Sequence, residues 1–419
     1  MKAFTRDYRI SGDYHPLWSQ YFGGMKPCVL DIETTGLDRN RCRVILTGLL
    51  TPIDGGVRAT QFLAENHCEE GKVLDATIEF LDSEGIDYLI TYNGAAFDVP
   101  FLNTRLERCF AGRQIGMYDF DLLRFLRMTT CLKARTGSLS QKSVENYYGI
   151  LSDRGDTISG RESVMLFDQY SLTGNSTIEK IILTHNREDI VHLSRLMYHV
   201  MRDLGSICTA YVSRGFDDAE SFRGHDNSEG PDAAGAYDLH SAMASYGFPA
   251  AGGRLSVRPS IKAKTGGRSA GKGNGSLASD QDAKGILRVT GEQIFDPVSC
   301  AFFPDADVPV TAMFSASSSS FEIEAPIAFH GNDSYMDISF LLGGALFKSP
   351  NLKKHAASPE REEAGRQLSM PADSSVHRAI DTIGSLRSDP DCVNDYLILE
   401  PRTINLVSRA LAEVYISLS

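Results

Sequence analysis

The segment LDIETTGL puts Asp31 and Glu33 two residues apart. Val29, Leu30 and Ile32 around them predict a β-strand, on which that spacing turns both carboxylates to one face. If the fold covers that face, two ionised groups side by side are costly unless a cation neutralises them. Oxygen ligands of this kind suit Mg²⁺ or Mn²⁺. On an exposed edge the same pair would only be solvated, so its meaning depends on what converges with it. A further carboxylate, Asp98, follows Asp31 by 67 residues in YLITYNGAAFDVPFLNTRL, where a strand ends at Asn93 and a helix opens. Asp98 fits two roles equally: a cap on free N–H groups, with Pro100 tolerated in the first turn, or another metal ligand.

The third group lies on a long helix predicted from Thr177, with Ser176 and Glu179 at capping-box spacing and Gly205 after its final turn. Ile178, Ile182, His185, Asp189, Leu193, Leu196 and Val200 project within about 80° of one another at 100° per residue. His185 and Asp189 therefore interrupt an apolar stripe, where they either satisfy core hydrogen bonds or join the acidic cluster. Asn186, Arg187 and Glu188 point elsewhere and are expected to be solvated.

The elements that must position these residues alternate between β-branched runs and helical stretches from Pro27 to about Leu204, which predicts an α/β domain. CVLDIET, RVILTGLLT, ATQFLAE and DYLITYN read as strands, the first three as an antiparallel meander. Helices are expected over roughly 70–82, 99–110, 121–128 and 140–148, besides the long one. Asp121, after the strand MYDFD, reads as a helix cap. Trp18, beside Tyr14 and Tyr21, is expected to pack an N-terminal arm onto this domain. Residues 205–283 are rich in Gly, Ser and Lys and read as linker and loops around one amphipathic segment. From about Lys284, the strand-like GILRVT, PVTAMFS, SFEIEAPIAF and SYMDISFLL, a hairpin turn at HGND and a helix over 404–417 suggest an α+β module.

The 419 residues carry 42 Lys plus Arg against 54 Asp plus Glu, a net charge of −12, and are 42% hydrophobic, which excludes wholesale disorder and argues against coating nucleic acid by charge alone. Yet Arg124, Arg127, Lys133, Arg135 and Lys142 lie in a span free of acid between Asp121 and Glu145, as a solvated face or a phosphate-tracking strip. A second basic segment, Arg254 to Lys272, reads as a solvated linker or a loose nucleic-acid contact. Its GGRSAGKG fits GxxxxGK, but Gly273 stands where Ser or Thr should bind magnesium, so a P-loop is rejected. The eight cysteines show no CxxC pair and read as reduced core thiols. His225, His330, His355 and His377 are isolated and read as surface or core residues. No run of about 18 apolar residues and no apolar leader is present, so the expectation is a soluble, cytoplasmic protein with no membrane partner.

In order, LDIETTGL, YNGAAFD and HNREDIVHLSRL resemble the three exonuclease motifs of the DEDD superfamily of ribonuclease H-like 3′-5′ exonucleases, and most closely the YprB-type ribonuclease H-like domains. DLLRFLRM, SLSQKSVENYYGI and RESVMLFDQYSLTGN extend the likeness over about residues 27–203. The resemblance implies an α/β fold, a ribonuclease H-like mixed sheet flanked by helices, followed here by a smaller α+β domain. It implies that Asp31, Glu33, Asp98 and Asp189 bind two divalent ions, Mg²⁺ or Mn²⁺, with His185 as general base. Thr34, Asn93 and Phe97 match motif positions that contact the terminal nucleotide or shape the site, although Phe97 also suits the core. Family members that use His usually set it five residues before the last Asp, whereas His185 is four before Asp189, the spacing of the tyrosine variants. Base, orienter of water and support of the site all stay open for His185.

The expected organisation is an N-terminal arm over 1–26, the exonuclease-like domain over 27–204, a linker over 205–283 and an α+β domain of unknown function over 284–419. The expected activity is metal-dependent hydrolysis of nucleic-acid phosphodiester bonds, as a 3′-to-5′ exonuclease on single-stranded DNA or RNA, with Arg124 and Arg127 beside Phe125 holding the strand. Two rivals are a catalytically silent nucleic-acid-binding or scaffolding protein and an RNA endonuclease. The sequence names no protein partner for the C-terminal region.

Overall fold

A computed structural model of the chain describes residues 1–10, 18–155, 158, 160–207, 231–263, 283–304, 308–330, 333–342, 386, 388–393 and 396–418. The chain divides into two compact units, Met1–Thr209 and Ala210–Ser419.

The first unit is built on a mixed six-stranded sheet in the order β1-β4-β3-β2-β5-β6. Its strands are β1 (Lys2–Tyr8), β2 (Pro27–Thr34), β3 (Val44–Ile53), β4 (Gly56–Leu63), β5 (Tyr88–Thr91) and β6 (Tyr118–Asp121). The expected meander β2-β3-β4 is antiparallel, whereas β5 and β6 add parallel to β2. Parallel neighbours need crossover connections, and helices supply them. The helices are α1 (Trp18–Phe22), α2 (Glu70–Ser83), α3 (Asp98–Cys109), α4 (Leu122–Thr129), α5 (Leu132–Thr136), α6 (Gln141–Tyr147), α7 (Gly160–Thr173) and α8 (Ser176–Ile207).

Period-2 alternation along β3 fixes which helix covers which face. The Thr47 hydroxyl pairs with that of Thr77 on α2 at 2.8 Å, while its neighbour Gly48 faces Asn186 on α8. With both faces covered, β3 is buried from Val44 through Thr51, which explains its near-continuous apolar run. Leu46 and Leu49 are fully buried there, and truncating either to Ala costs about 2–5 kcal/mol.

The N-terminal residues do more than lean on the domain. Lys2–Tyr8 form the edge strand β1, paired antiparallel with β4 over its whole length. In α1, Trp18 stacks on Phe22 at 4.1 Å, meets Phe120 edge-on at 5.0 Å and donates its indole N–H to the Tyr88 hydroxyl at 3.1 Å. Trp18 and Tyr21 are thus buried in the unit, while Tyr14 lies outside the described residues.

Helix α8 departs from expectation at both ends. Asn175, not Ser176, caps it by accepting the Thr177 N–H at 2.8 Å, and the Glu179 carboxylate bonds Lys2 and Tyr170 instead. Gly205 does not stop the helix, which runs on to a buried Ile207. Burying Leu204 and Ile207 offsets the roughly 1 kcal/mol that a glycine costs inside a helix.

The second unit carries a nine-stranded sheet whose strands pair antiparallel. Its elements are α9 (Pro231–Tyr246), β7 (Phe248–Ala250), β8 (Leu255–Ala263), β9 (Ala283–Gln293), β10 (Cys300–Phe302), β11 (Thr311–Ser315), β12 (Ser320–His330), β13 (Asp333–Asp337), α10 (Ser339–Leu342), β14 (Cys392–Val393), β15 (Tyr396–Ile398) and α11 (Pro401–Leu418). The strand order is β14-β15-β13-β12-β9-β8-β7, with β11 also on β12 and β10 on β11, and α9 and α11 pack on each other and on β8. The span read as linker therefore holds a helix and two strands. SYMDISFLL is divided between β13 and α10. GGRSAGKG, most of the second basic segment, His225, His355, His377 and the two central residues of HGND lie outside the described residues.

Among the described cysteines all are free, but only Cys28 is buried; Cys68 and Cys109 are exposed, which corrects the reading of core thiols. No helix among the described residues is long and apolar enough to cross a membrane.

Candidate metal centre

The site forms where the β2 face beneath α8 meets the start of α3. Asp31, Gly48 and Gln61 stand in register across β2, β3 and β4. The side chain of Asn186 lies over this row. Its Nδ2 donates to Asp31 Oδ2 at 2.8 Å, and its Oδ1 accepts from Gln61 Nε2 at 2.8 Å. A Cβ at position 48 would sit 2.2 Å from Asn186 Oδ1, so only glycine admits this contact.

Glu33, two residues beyond Asp31, faces His185 one helical position before Asn186. His185 Nε2 is 3.6 Å from Glu33 Oε1 and 3.7 Å from Asp189 Oδ2. One ligand atom from each of Glu33, His185 and Asp189 can be chosen so that all lie within 4.8 Å of one another. Asp98, at the head of α3, reaches back to β2, where its Oδ1 accepts the Ile32 N–H at 3.2 Å. This bond ties α3 to the strand between Asp31 and Glu33. Asp98 thus links two elements as well as starting a helix.

The electrostatics show an excess of negative charge. The Asp31 carboxyl is held well above its ordinary range by burial, and then by the charges of Asp189, Asp98 and Glu33. Burial also pushes Asp98 up to about 7, opposed by backbone N–H bonds and reinforced by Asp121 and Glu33. Crowded carboxylates that resist ionisation mark a place where a divalent cation would be favourable. The carboxylate oxygens suit a hard divalent cation such as Mg²⁺ or Mn²⁺, with the His185 imidazole beside them.

A second layer holds Asp189. Arg154, after a 3₁₀ turn at Leu151–Asp153, donates from Nη2 to Asp189 Oδ1. Its Nη1 lies 3.0 and 3.2 Å from the two oxygens of Glu145 on α6, and Arg154 and Glu145 are 3% and 0% exposed. Gln141 Nε2 bridges Glu145 Oε1 at 2.9 Å and the Asp189 backbone oxygen at 3.0 Å. His192 stands with Nδ1 3.7 Å from Glu145 Oε2 and Nε2 3.3 Å from Glu188 Oε2.

These contacts correct one expectation: Asn186, Arg187 and Glu188 are not solvated. Asn186 is fully buried, Arg187 bonds the Thr184 hydroxyl, and Glu188 is engaged by His192 and by the Gly155 N–H. A helix position 100° from the stripe still meets protein here, because the sheet on one side and the Arg154 loop on the other wrap around α8.

The remaining sequence candidates have these contacts. The Thr34 hydroxyl donates to the Gly36 carbonyl at 2.8 Å within a turn. Asn93 takes a left-handed φ of 71°, and its backbone N–H donates to Asp121 Oδ1 at 2.8 Å. Asp121 also caps α4 through the Arg124 N–H, so one carboxylate fixes the β5 loop and this helix together. Phe97 is half-buried, 5.5 Å from Phe101 and packed on the core. Arg124 and Arg127 are on the exposed face of α4, while Arg135 of the basic strip bonds the Ser206 carbonyl and the Tyr147 hydroxyl. Nearby, burial and the charge of Asp121 raise Asp119 well above the ordinary carboxylate range, while the Thr91 hydroxyl and Arg124 oppose the shift.

Residues 28–201 match a family model described as the RNase_H superfamily. No curated protein matches the chain. Among solved structures, the family B DNA polymerase from the hyperthermophilic archaeon Pyrobaculum calidifontis aligns at 15% identity with a TM-score of 0.34, covering 94% of this chain and 46% of the polymerase. The chain therefore spans less than half the length of that polymerase. The superfamily match agrees with the mixed sheet flanked by helices.

Proposed function

We propose that the chain is a divalent-metal-dependent nuclease that trims single-stranded DNA or RNA from the 3′ end, with Asp31, Glu33, Asp98 and Asp189 holding two ions. The observation that carries this reading is the meeting of Glu33, His185 and Asp189 within 4.8 Å beside two carboxyls whose ionisation is suppressed. The module is assigned to residues 27–204, with β1 completing its sheet. Bound Mg²⁺ or Mn²⁺ would supply activated water at neutral pH and stabilise charge on the scissile phosphate and the departing oxygen.

The chain's own residues perform the rest. The register of β2 sets Asp31 and Glu33 on one face, the Ile32 bond fixes Asp98, and Asn186 and Arg154 hold the orientation of Asp31 and Asp189. His185, between Glu33 and Asp189, is placed to take a proton from water or to orient that water. Arg124 and Arg127 lie on a helix whose start is tied through Asp121 to the loop before Asp98, which supports a role in holding the phosphate backbone.

Labelled single strands incubated with Mn²⁺ test direction and mode. The expected result is stepwise shortening from a free 3′ end, with circular and 3′-blocked strands surviving. Cleavage of circles would establish the endonuclease instead, and tight strand binding without turnover the silent scaffold.

A further inference from the structure

Within the cluster, Asp189 has an arginine bound to one of its oxygens. Arg154 takes Oδ1, which leaves Oδ2 facing His185 at 3.7 Å. The guanidinium has little freedom to leave, being 3% exposed, gripped by both oxygens of a fully buried Glu145, and flanked by Gln141, which also holds the Asp189 main chain. A planar fork fixed by two carboxylates is a rigid positioning device. From this arrangement we infer that Arg154 sets the ion-size preference of the site by confining Asp189 to one ligand oxygen. The inference rests on the metal-binding reading above.

The physical reason lies in coordination number. Mg²⁺ and Mn²⁺ accept six ligands in near-octahedral geometry, to which a carboxylate contributes one oxygen readily. Ca²⁺ takes six to eight oxygens and gains from carboxylates that chelate through both. With Oδ1 engaged by the guanidinium, chelation of one ion through both oxygens of Asp189 is disfavoured, and the larger ion with it. Arg154 is thus a positioning residue acting through Asp189, and its charge is balanced locally by Glu145.

Calorimetric titration of the full chain with Mn²⁺ alone and with Ca²⁺ alone reads this directly. Arg154→Gln removes a positive charge and so strengthens both divalent ions alike, which leaves the ratio of affinities as the informative quantity. The expected result is a rise in Ca²⁺ affinity relative to Mn²⁺ of about tenfold, equivalent to about 1.4 kcal/mol of altered preference. Because the single variant leaves Glu145 buried without its arginine, the paired variant Arg154→Gln/Glu145→Gln keeps the interior neutral and must show the same change in ratio. An unchanged ratio in folded variants overturns the role of Arg154. Wild-type chain that binds neither ion overturns the metal site itself.

Discussion

Asn186 Nδ2 donates to Asp31 Oδ2 at 2.8 Å through a gap that exists because residue 48 has no side chain. An amide donor on a crowded carboxylate favours its ionised form and fixes its rotamer, and the site needs both before any ion arrives. Gly48→Ala would drive a methyl into the amide and cost about 1–3 kcal/mol from overpacking. Urea unfolding should show that loss, and calorimetry should show weaker Mn²⁺ binding. Unaltered stability would mean that Asn186 moves aside freely.

The crowding of carboxyls sets a pH dependence. Asp98 titrates at about 7 in the folded chain, against about 3.9 for an unperturbed aspartate. A raised folded-state pKa binds protons more tightly than the unfolded chain does. Its contribution to stability is therefore complete below about pH 3.9 and disappears as pH rises through about 7. Asp31, shifted in the same direction, adds to the effect. In chelator, the unfolding midpoint should fall between pH 5 and pH 8, and saturating Mn²⁺ should restore more stability at pH 8 than at pH 5. A midpoint that rises over this range in chelator would contradict the assignment.

Much of this was legible in the sequence. β-Branched runs and apolar periodicity located β2 to β5, α2, α3, α4, α6 and α8, each of which buries apolar residues. The placing of Asp31 and Glu33 on one face and of His185 and Asp189 on one stripe follows from periods of 2 and 3.6 alone. Asn186 was missed because its angle on the helix says nothing about how closely the sheet approaches; the glycine inside VILTGLLT was the available signal. Arg154 and Glu145 come from a turn and a short helix whose meeting with Asp189 depends on tertiary packing. Strand β1 was hidden for a similar reason, since it pairs with β4 residues 49 to 61 positions away. In α9, small residues such as Ala233, Ala234 and Gly235 give a linker-like composition to what is a helix.

A structural test independent of the metal concerns α3. Arg105 meets the carboxylate of Glu70 through two bonds of 2.7 and 2.6 Å, with the pair 10% and 8% exposed, and Glu70 also accepts the Val44 N–H at 2.9 Å. This joins α3, α2 and the start of β3. Arg105→Ala leaves a buried carboxylate unpaired and should cost about 3–5 kcal/mol. Thermal unfolding checks it, and a loss near zero would show that Glu70 finds solvent.

Strand binding is expected to depend on the exposed face of α4. Arg124→Glu with Arg127→Glu should raise KM for a single strand and flatten its salt dependence by about two phosphate contacts, with little change in kcat. If KM and its dependence on salt stay as in the wild type, the strand follows another path.

The most direct measurement compares wild type, Asp31→Ala and Asp189→Asn for Mn²⁺ binding by calorimetry and for hydrolysis of a 3′-labelled single strand, with circular dichroism to verify the fold. Wild-type chain should bind Mn²⁺ and release labelled nucleotide, while both folded variants lose cleavage and bind the ion more weakly. Equal Mn²⁺ binding and equal hydrolysis in all three proteins would show that these carboxylates do not form the catalytic centre.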